Sequence, residues 1–529
     1  MSLQLSRELI EATECAGLAE EREQSNRYRK DRLCLIGPER LDDETLQDLL
    51  AAAEKLNDGK VRKAVEAVIR SREGDCDQVV PSFQAFESLL TAYLLEKPID
   101  GWLYVRGNDG RLTPELIVSV SYVENQRGSN PDHVVVNTVS YGIRDEHGAR
   151  MGVTRNHHSF WPTCVTRKRV SAALSDKGLF RETPELKAEY EASLKRYRDE
   201  VENEFAEQFR FEGRVAAGAS YDERNLVYSQ RKVVHDTAPE DRDARKNQTD
   251  SQLYPDLPGH IPEVLLVRVF DLKSLASYWV HAESLTPYVY DQSLREKLVL
   301  PKEHRDLLDV LTTDLDAFVG DFVEGKSAGN VILCKGLAGL GKTLTAEVYA
   351  ELIKRPLYSI HSGHLGTDAE SVDRNLQEIF KRSKRWKCVL LLDEADVFVV
   401  RRGNSLEQNA IVAEFLRSLE YFDGLLFMTT NRPDDIDEAI LSRCAAIIRY
   451  EVPKTDDMRA IWQVMARQYE QSLSEDLLNE LVATYSQISP RDVKMLFRLA
   501  LRVSQKHGGQ LNAEVFRQCA MFRDIPVAA

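Results

Sequence analysis

No stretch of the chain approaches the run of about eighteen apolar residues that a membrane-crossing helix needs, so no membrane segment is expected. No C-x-x-C pair occurs among the eight cysteines (Cys15, Cys34, Cys76, Cys164, Cys334, Cys388, Cys444 and Cys519). Scattered in this way they give neither a zinc framework nor a disulfide scaffold. Cys334 and Cys388 sit in apolar runs and read as small core residues of a reducing compartment. The opening MSLQLSRELIEATE is charged and lacks the apolar centre of a secretion signal. Internal repeats are not visible. Basic charge is in short supply, with 70 Lys and Arg against 85 Asp and Glu and a net charge of −15. That balance argues against broad nonspecific nucleic-acid binding, although it leaves room for a local basic groove. A soluble, cytoplasmic protein is the expectation.

What is present is ordinary in bulk and uneven along the chain. At 529 residues, with 43% hydrophobic and 29% charged side chains, the sequence can fill about two to four domain cores. Residues 1–98 read as a helical N-terminal region, with helical apolar spacing in LDDETLQDLLAAAEKL and KVRKAVEAVIRS. Residues 99–236 read as a β-rich α+β domain. Its β-branched runs LYVRG, ELIVSVSYV, HVVVNTVSYGI and ARMGVT suit an antiparallel sheet or small barrel. A long helix is expected from Thr183-Pro184, with a stripe at Leu186, Tyr190, Leu194, Tyr197, Val201, Phe205 and Phe209. Residues 237–262 are polar, charged and proline-bearing, as in a linker or exposed loop. From 263 to 452 strands and helices come to alternate, the pattern of a doubly wound parallel sheet, and 453–529 reads as a helical lid.

The segment Gly336-Leu337-Ala338-Gly339-Leu340-Gly341-Lys342-Thr343 fits the G-x-x-x-x-G-K-[ST] phosphate-binding loop. It follows the apolar run NVILCK and precedes the helical pattern TLTAEVYAELIK, which begins at Thr343-Leu344. A strand delivers the chain, glycines let the backbone wrap phosphates, and a helix N-terminus aims free N–H groups at the anion. Downstream, Cys388-Val389-Leu390-Leu391-Leu392 reads as a buried strand that releases Asp393-Glu394 at its C-terminal end. In this arrangement Lys342 reaches the β- and γ-phosphates of ATP. Thr343 and Asp393 hold Mg²⁺, and Glu394 polarises the attacking water.

GLAGLGKT, LLLDEADVF, LLFMTTNRP and DEAILSR, in this order and at these intervals, resemble the AAA family of ATPases within the AAA+ class. The resemblance covers roughly residues 286 to 450 and extends through the helical lid; the N-terminal half matches no functionally defined family. It implies an oligomeric, Mg²⁺-dependent ATPase, commonly a hexameric ring, that remodels a protein or protein assembly selected by the N-terminal domain. The alternative is a nucleic-acid-associated AAA+ ATPase serving as a loader or defence-type assembly switch. The resemblance further implies that Asn431 is the first sensor, holding the nucleophilic water. Arg443 would be the arginine finger that completes a neighbouring subunit's site, and Arg491 the second sensor at the phosphates.

Three departures from the family pattern stand out. Leu337 and Ala338 replace prolines of the phosphate loop, where backbone N–H groups do the binding. The second of the family's paired fingers falls on Ala446. The segment SGHLGTDAESVD has no aromatic residue between Tyr358 and Phe380, where many members grip a threaded polypeptide. Lesser features read blandly. Lys381–Lys387 is a basic helix end, and Asn156-His157-His158 with Cys164 has no second ligand cluster at zinc spacing. Arg167-Lys168-Arg169, near Phe160 and Trp161, is a weak candidate for a basic-aromatic surface.

Overall fold

In the computed structural model, residues 3–25, 34–36, 40–74, 76–107, 109–124, 131–143, 151–216, 227–237, 257–313, 329–402, 405–506 and 511–525 are described. The chain divides into two units, Met1–Phe205 with Arg210–Thr286, and Ala206–Phe209 with Pro287–Ala529.

The first unit begins with helices, as the apolar spacing requires. The helix Asp43–Lys55 starts at Asp42, whose carboxylate accepts the Thr45 N–H at 2.8 Å. It packs Leu46, Leu49 and Ala53 against Val61, Val65 and Val68. A two-stranded antiparallel ribbon, β1 (Leu3–Leu5) and β2 (Cys34–Ile36), joins the same core. Next come β3 (Trp102–Arg106), β4 (Leu112–Val123), β5 (His133–Ile143), β6 (Met151–Phe160) and β7 (Leu179–Arg181). They form an open antiparallel sheet in the order β6-β5-β4-β3-β7. The helix Phe83–Leu95 lays Phe86 and Leu90 on Leu103, Ile117, Val134 and Phe160 of that sheet.

Two boundaries expected from the sequence are corrected. The helix from Pro184 ends at Glu200, so Phe205 lies beyond it and Phe209 belongs to β8 (Gln208–Gly213). The backbone at Val201 leaves helical ψ-φ space at φ −128°, and the apolar stripe continues into a strand. The second correction concerns residue 263 as the start of the ATPase core. β10 (Leu266–Asp271) pairs with β9 (Tyr228–His235) and β11 (Ala276–His281), in a sheet ordered β11-β10-β9-β8-β12 with β12 at Leu285–Pro287. Residues up to Thr286 therefore fold with the first unit. Most of the 237–262 linker lies outside the described residues.

The second unit is built on β13 (Asn330–Gly336), β14 (Leu357–His361), β15 (Val389–Asp393), β16 (Leu425–Thr430) and β17 (Ala446–Tyr450). All are parallel, in the order β14-β15-β16-β13-β17. Helices cover both faces of such a sheet, so its central strands read as unbroken apolar runs without alternation. Val331, Ile332, Leu333, Leu391, Leu426 and Phe427 are all buried. The chain thus has the α/β fold of a doubly wound sheet. Its last four described helices, Thr455–Gln468, Glu475–Thr484, Pro490–Lys506 and Ala513–Met521, form a separate core. Trp462 packs there against Tyr485, Phe497 and Phe516.

Candidate active site

The strand order brings the chemistry together. β13 lies between β16 and β17, while the chain leaving it crosses to β14 at the far edge. Open α/β sheets bind ligands at the C-terminal ends of strands around such a reversal. The glycine-rich loop leaves β13, Asp393 and Glu394 leave β15, and Asn431 follows β16. Leu392 pairs with Met428, so Asp393 and Thr429 come next to one another at neighbouring strand ends.

The loop wraps back on itself. Lys342 opens the helix Lys342–Leu352, after Gly341 at φ +100°. The lysine is buried, and its ammonium donates to Gly336 O at 2.8 Å, Leu337 O at 2.7 Å and Asn431 Oδ1 at 2.9 Å. Burial pushes its pKa below the usual lysine value, while the nearby Asp393 and Asp396 carboxylates act in the opposite direction. Leu337, Ala338 and Leu344 are exposed along the loop, whereas Leu340 is buried. Gly339 O accepts the Arg491 N–H at 3.2 Å, which ties the start of the Pro490–Lys506 helix to the loop.

Asp393 is the hub of the opposite wall. Its Oδ1 accepts the Thr343 hydroxyl at 2.9 Å and the Thr429 hydroxyl at 2.6 Å. Glu394 is exposed and holds a left-handed backbone at φ +53°. Asp396 Oδ1 accepts the Asn431 N–H at 3.0 Å and the Thr430 hydroxyl, fixing the Asn431 backbone. Arg443 is not drawn to this cluster. Its Nη1 donates to Ala439 O at 3.1 Å, and its Nη2 lies 3.6 Å from Glu420 Oε2.

The residues present fit a magnesium nucleotide. The Thr343 hydroxyl beside the Asp393 carboxylate is a hard-oxygen pair, suited to Mg²⁺ with its water shell. Beside them a helix N-terminus and a buried ammonium form an anion cradle. Thr429, Thr430 and Asp396 escaped the sequence reading. Threonines ending a strand look like ordinary β-formers, and only the pairing register shows that their hydroxyls face the acidic turn.

Residues 332–452 match the family model described as "ATPase family associated with various cellular activities (AAA)". Residues 332–452 are thus an AAA ATPase domain. Relatives of the AAA domain include the peroxisomal ATPase PEX6 of Eremothecium gossypii, 29% identical over 194 residues, covering 34% of this chain and 19% of PEX6. The ATP-dependent zinc metalloprotease FtsH of Protochlamydia amoebophila is 29% identical over 160 residues, covering 28% of this chain and 18% of FtsH. The chain thus spans under a fifth of the length of either relative. Among solved structures, the FIGL-1 AAA domain in complex with ADP aligns with a TM-score of 0.35 and 19% identity, covering 44% of this chain and 84% of that one. Among the described residues, no helix is long and apolar enough to cross a membrane.

Proposed function

We propose that this chain is a cytoplasmic, Mg²⁺-dependent ATP hydrolase that works as a ring and remodels a protein or protein assembly chosen by its N-terminal unit. The observation that carries the reading is the convergence of Lys342, Thr343, Asp393 and Asn431 at one edge of the sheet, with Glu394 beside them. Lys342, whose ammonium bonds the loop carbonyls of Gly336 and Leu337, holds phosphate oxygens. Thr343 and Asp393 hold Mg²⁺, which neutralises charge on the β- and γ-phosphates when bound. Glu394 takes a proton from water as the water oxygen bonds the γ-phosphorus. The bond from that phosphorus to the β,γ-bridging oxygen breaks, giving ADP and inorganic phosphate. Asn431 positions the water, and Arg491 contacts the phosphates from the lid.

Arg443 acts on the neighbouring subunit's nucleotide in this scheme. Its placement supports the assignment, since its guanidinium bonds Ala439 and Glu420 and none of the loop's groups. The basic runs favour a protein target over nucleic acid. Lys168 pairs with Asp176 at 2.6 Å, Arg169 lies 4.0 Å from Asp77, and Lys384 pairs with Asp423 at 2.9 Å. These lysines and arginines are partly neutralised within the chain.

Phosphate release with Mg-ATP tests the reading. Glu394→Gln should bind ATP as well as the unaltered chain and lose turnover by a factor of roughly 10² or more. Lys342→Ala should lose nucleotide binding. An unaltered chain that releases no phosphate, or a Glu394→Gln chain that still turns over normally, overturns it.

A further inference from the structure

Thr429 is 2% exposed, at the end of a strand whose other side chains from Leu425 to Met428 are apolar. A hydroxyl buried there needs partners, and it has two that belong to the reacting site. The hydroxyl proton goes to Asp393 Oδ1 at 2.6 Å, and the hydroxyl oxygen accepts the Glu394 N–H at 3.0 Å. The Thr429 carbonyl then accepts the Ala395 N–H at 2.8 Å. One threonine therefore grips three consecutive residues of the acidic turn.

The middle one of the three is in a conformation that a side-chain-bearing residue avoids. Glu394 has φ +53°, in the left-handed region, where Cβ crowds the backbone. A backbone held there needs outside support, or it relaxes to a commoner conformation and re-aims the side chain. The Thr429 hydroxyl supplies that support at the Glu394 N–H. Through its donated proton it also fixes the carboxylate oxygen that Thr343 shares.

We infer that Thr429 is a positioning residue for hydrolysis: its hydroxyl holds Glu394 in the left-handed turn that aims the carboxylate at the attacking water and locks that turn to Asp393. The inference rests on the proposed hydrolysis and adds to it a residue whose side chain does not touch the nucleotide. It makes the Glu394 geometry depend on one hydroxyl group and not on the bulk of the side chain carrying it.

Three replacements separate the hydroxyl from the bulk. Thr429→Val keeps the volume and removes the hydroxyl, Thr429→Ser keeps the hydroxyl, and Thr429→Ala removes both should the valine chain misfold. The measurements are kcat and KM for Mg-ATP, and affinity for a fluorescent ATP analogue in the full chain. Thr429→Val should lower kcat by roughly 10- to 100-fold, while KM and analogue affinity stay within about threefold, as expected when a reacting group is misplaced by about an ångström. Thr429→Ser should restore kcat to within about threefold of the unaltered chain. A kcat for Thr429→Val equal to that of the unaltered chain overturns the inference, as does a serine chain as slow as the valine one. Recovery of the valine chain at raised Mg²⁺ overturns it too, because the defect would then lie at Asp393 alone. Absence of turnover in the unaltered chain sinks the hydrolysis reading together with this one. Normal turnover with an indifferent Thr429→Val sinks only this one.

Discussion

At the scale of single residues, the glycines of the phosphate loop differ in why they must be glycine. Gly336 has φ +153°, and a Cβ built on it would lie 2.3 Å from Tyr450 O on the neighbouring strand. Backbone cannot give way there, so a methyl group must separate β13 from β17. Gly341 has φ +100° but open space around its missing Cβ, so alanine there meets only conformational strain. Gly336→Ala should therefore lower stability by more than about 2 kcal/mol, and Gly341→Ala by about 1 kcal/mol. Thermal or urea unfolding of the two variants checks the order, and a reversed order removes the backbone clash as the reason. The motif spacing was legible in the sequence because it is local. The Tyr450 contact was not, because it joins residues more than a hundred positions apart. Asp396 and Thr429 were hidden for the same reason, since nothing in DEAD or TTN says which hydroxyl meets which carboxylate.

At the scale of elements, the edge strands β14 and β17 alternate buried and more exposed positions. Apolar runs marked the central strands β13, β15 and β16 well, since strands buried on both faces leave an unbroken hydrophobic signature. Pairing partners leave none. VLLVRVFDL at the head of the expected ATPase core is instead β10, held to β9 by the register of Phe270 with Val234. The β1–β2 ribbon was missed because three-residue strands carry too few positions for alternation to show. The segment that leads into the ATPase core is fastened at one point of the loop's own helix. Glu351, buried on the helix Lys342–Leu352, accepts the Tyr288 hydroxyl at 2.7 Å and the Asp291 N–H at 3.0 Å. Its carbonyl accepts the Gln292 amide at 2.6 Å. Glu351→Ala removes the carboxylate that joins those two donors to the helix and should cost about 1–3 kcal/mol, with Glu351→Gln losing less because one acceptor oxygen remains. Urea unfolding followed by fluorescence of chains that keep Trp386 and Trp462 and carry Phe at the other three tryptophans reads the difference. An unchanged midpoint for Glu351→Ala means the strap does not stabilise the core.

At the scale of the whole molecule, the finger role proposed for Arg443 makes a claim about assembly that a single chain cannot satisfy. Lys342, Asp393 and Glu394 come from one subunit, and in the proposed ring the finger comes from the next. Head-to-tail interfaces of this kind close into rings when the rotation between subunits allows it, and every site in the proposed ring then has two parents. Two defective chains should consequently repair one another. Glu394→Gln lacks the base but carries an intact Arg443, whereas Arg443→Ala lacks the finger but keeps Glu394. Each alone should be nearly inactive. In a random equimolar mixture about a quarter of the interfaces pair an intact Glu394 with an intact Arg443 from the neighbour, so ATP turnover should reappear at up to about that fraction of the unaltered rate. Subunit exchange is checked by labelling the two chains with different fluorophores and measuring energy transfer between them. Energy transfer without recovered turnover would place Arg443 outside the shared site and leave Glu420, which lies beside its guanidinium, as its partner. Recovered turnover that vanishes on dilution, together with the energy transfer, would show that a complete catalytic site exists only between two copies of this chain.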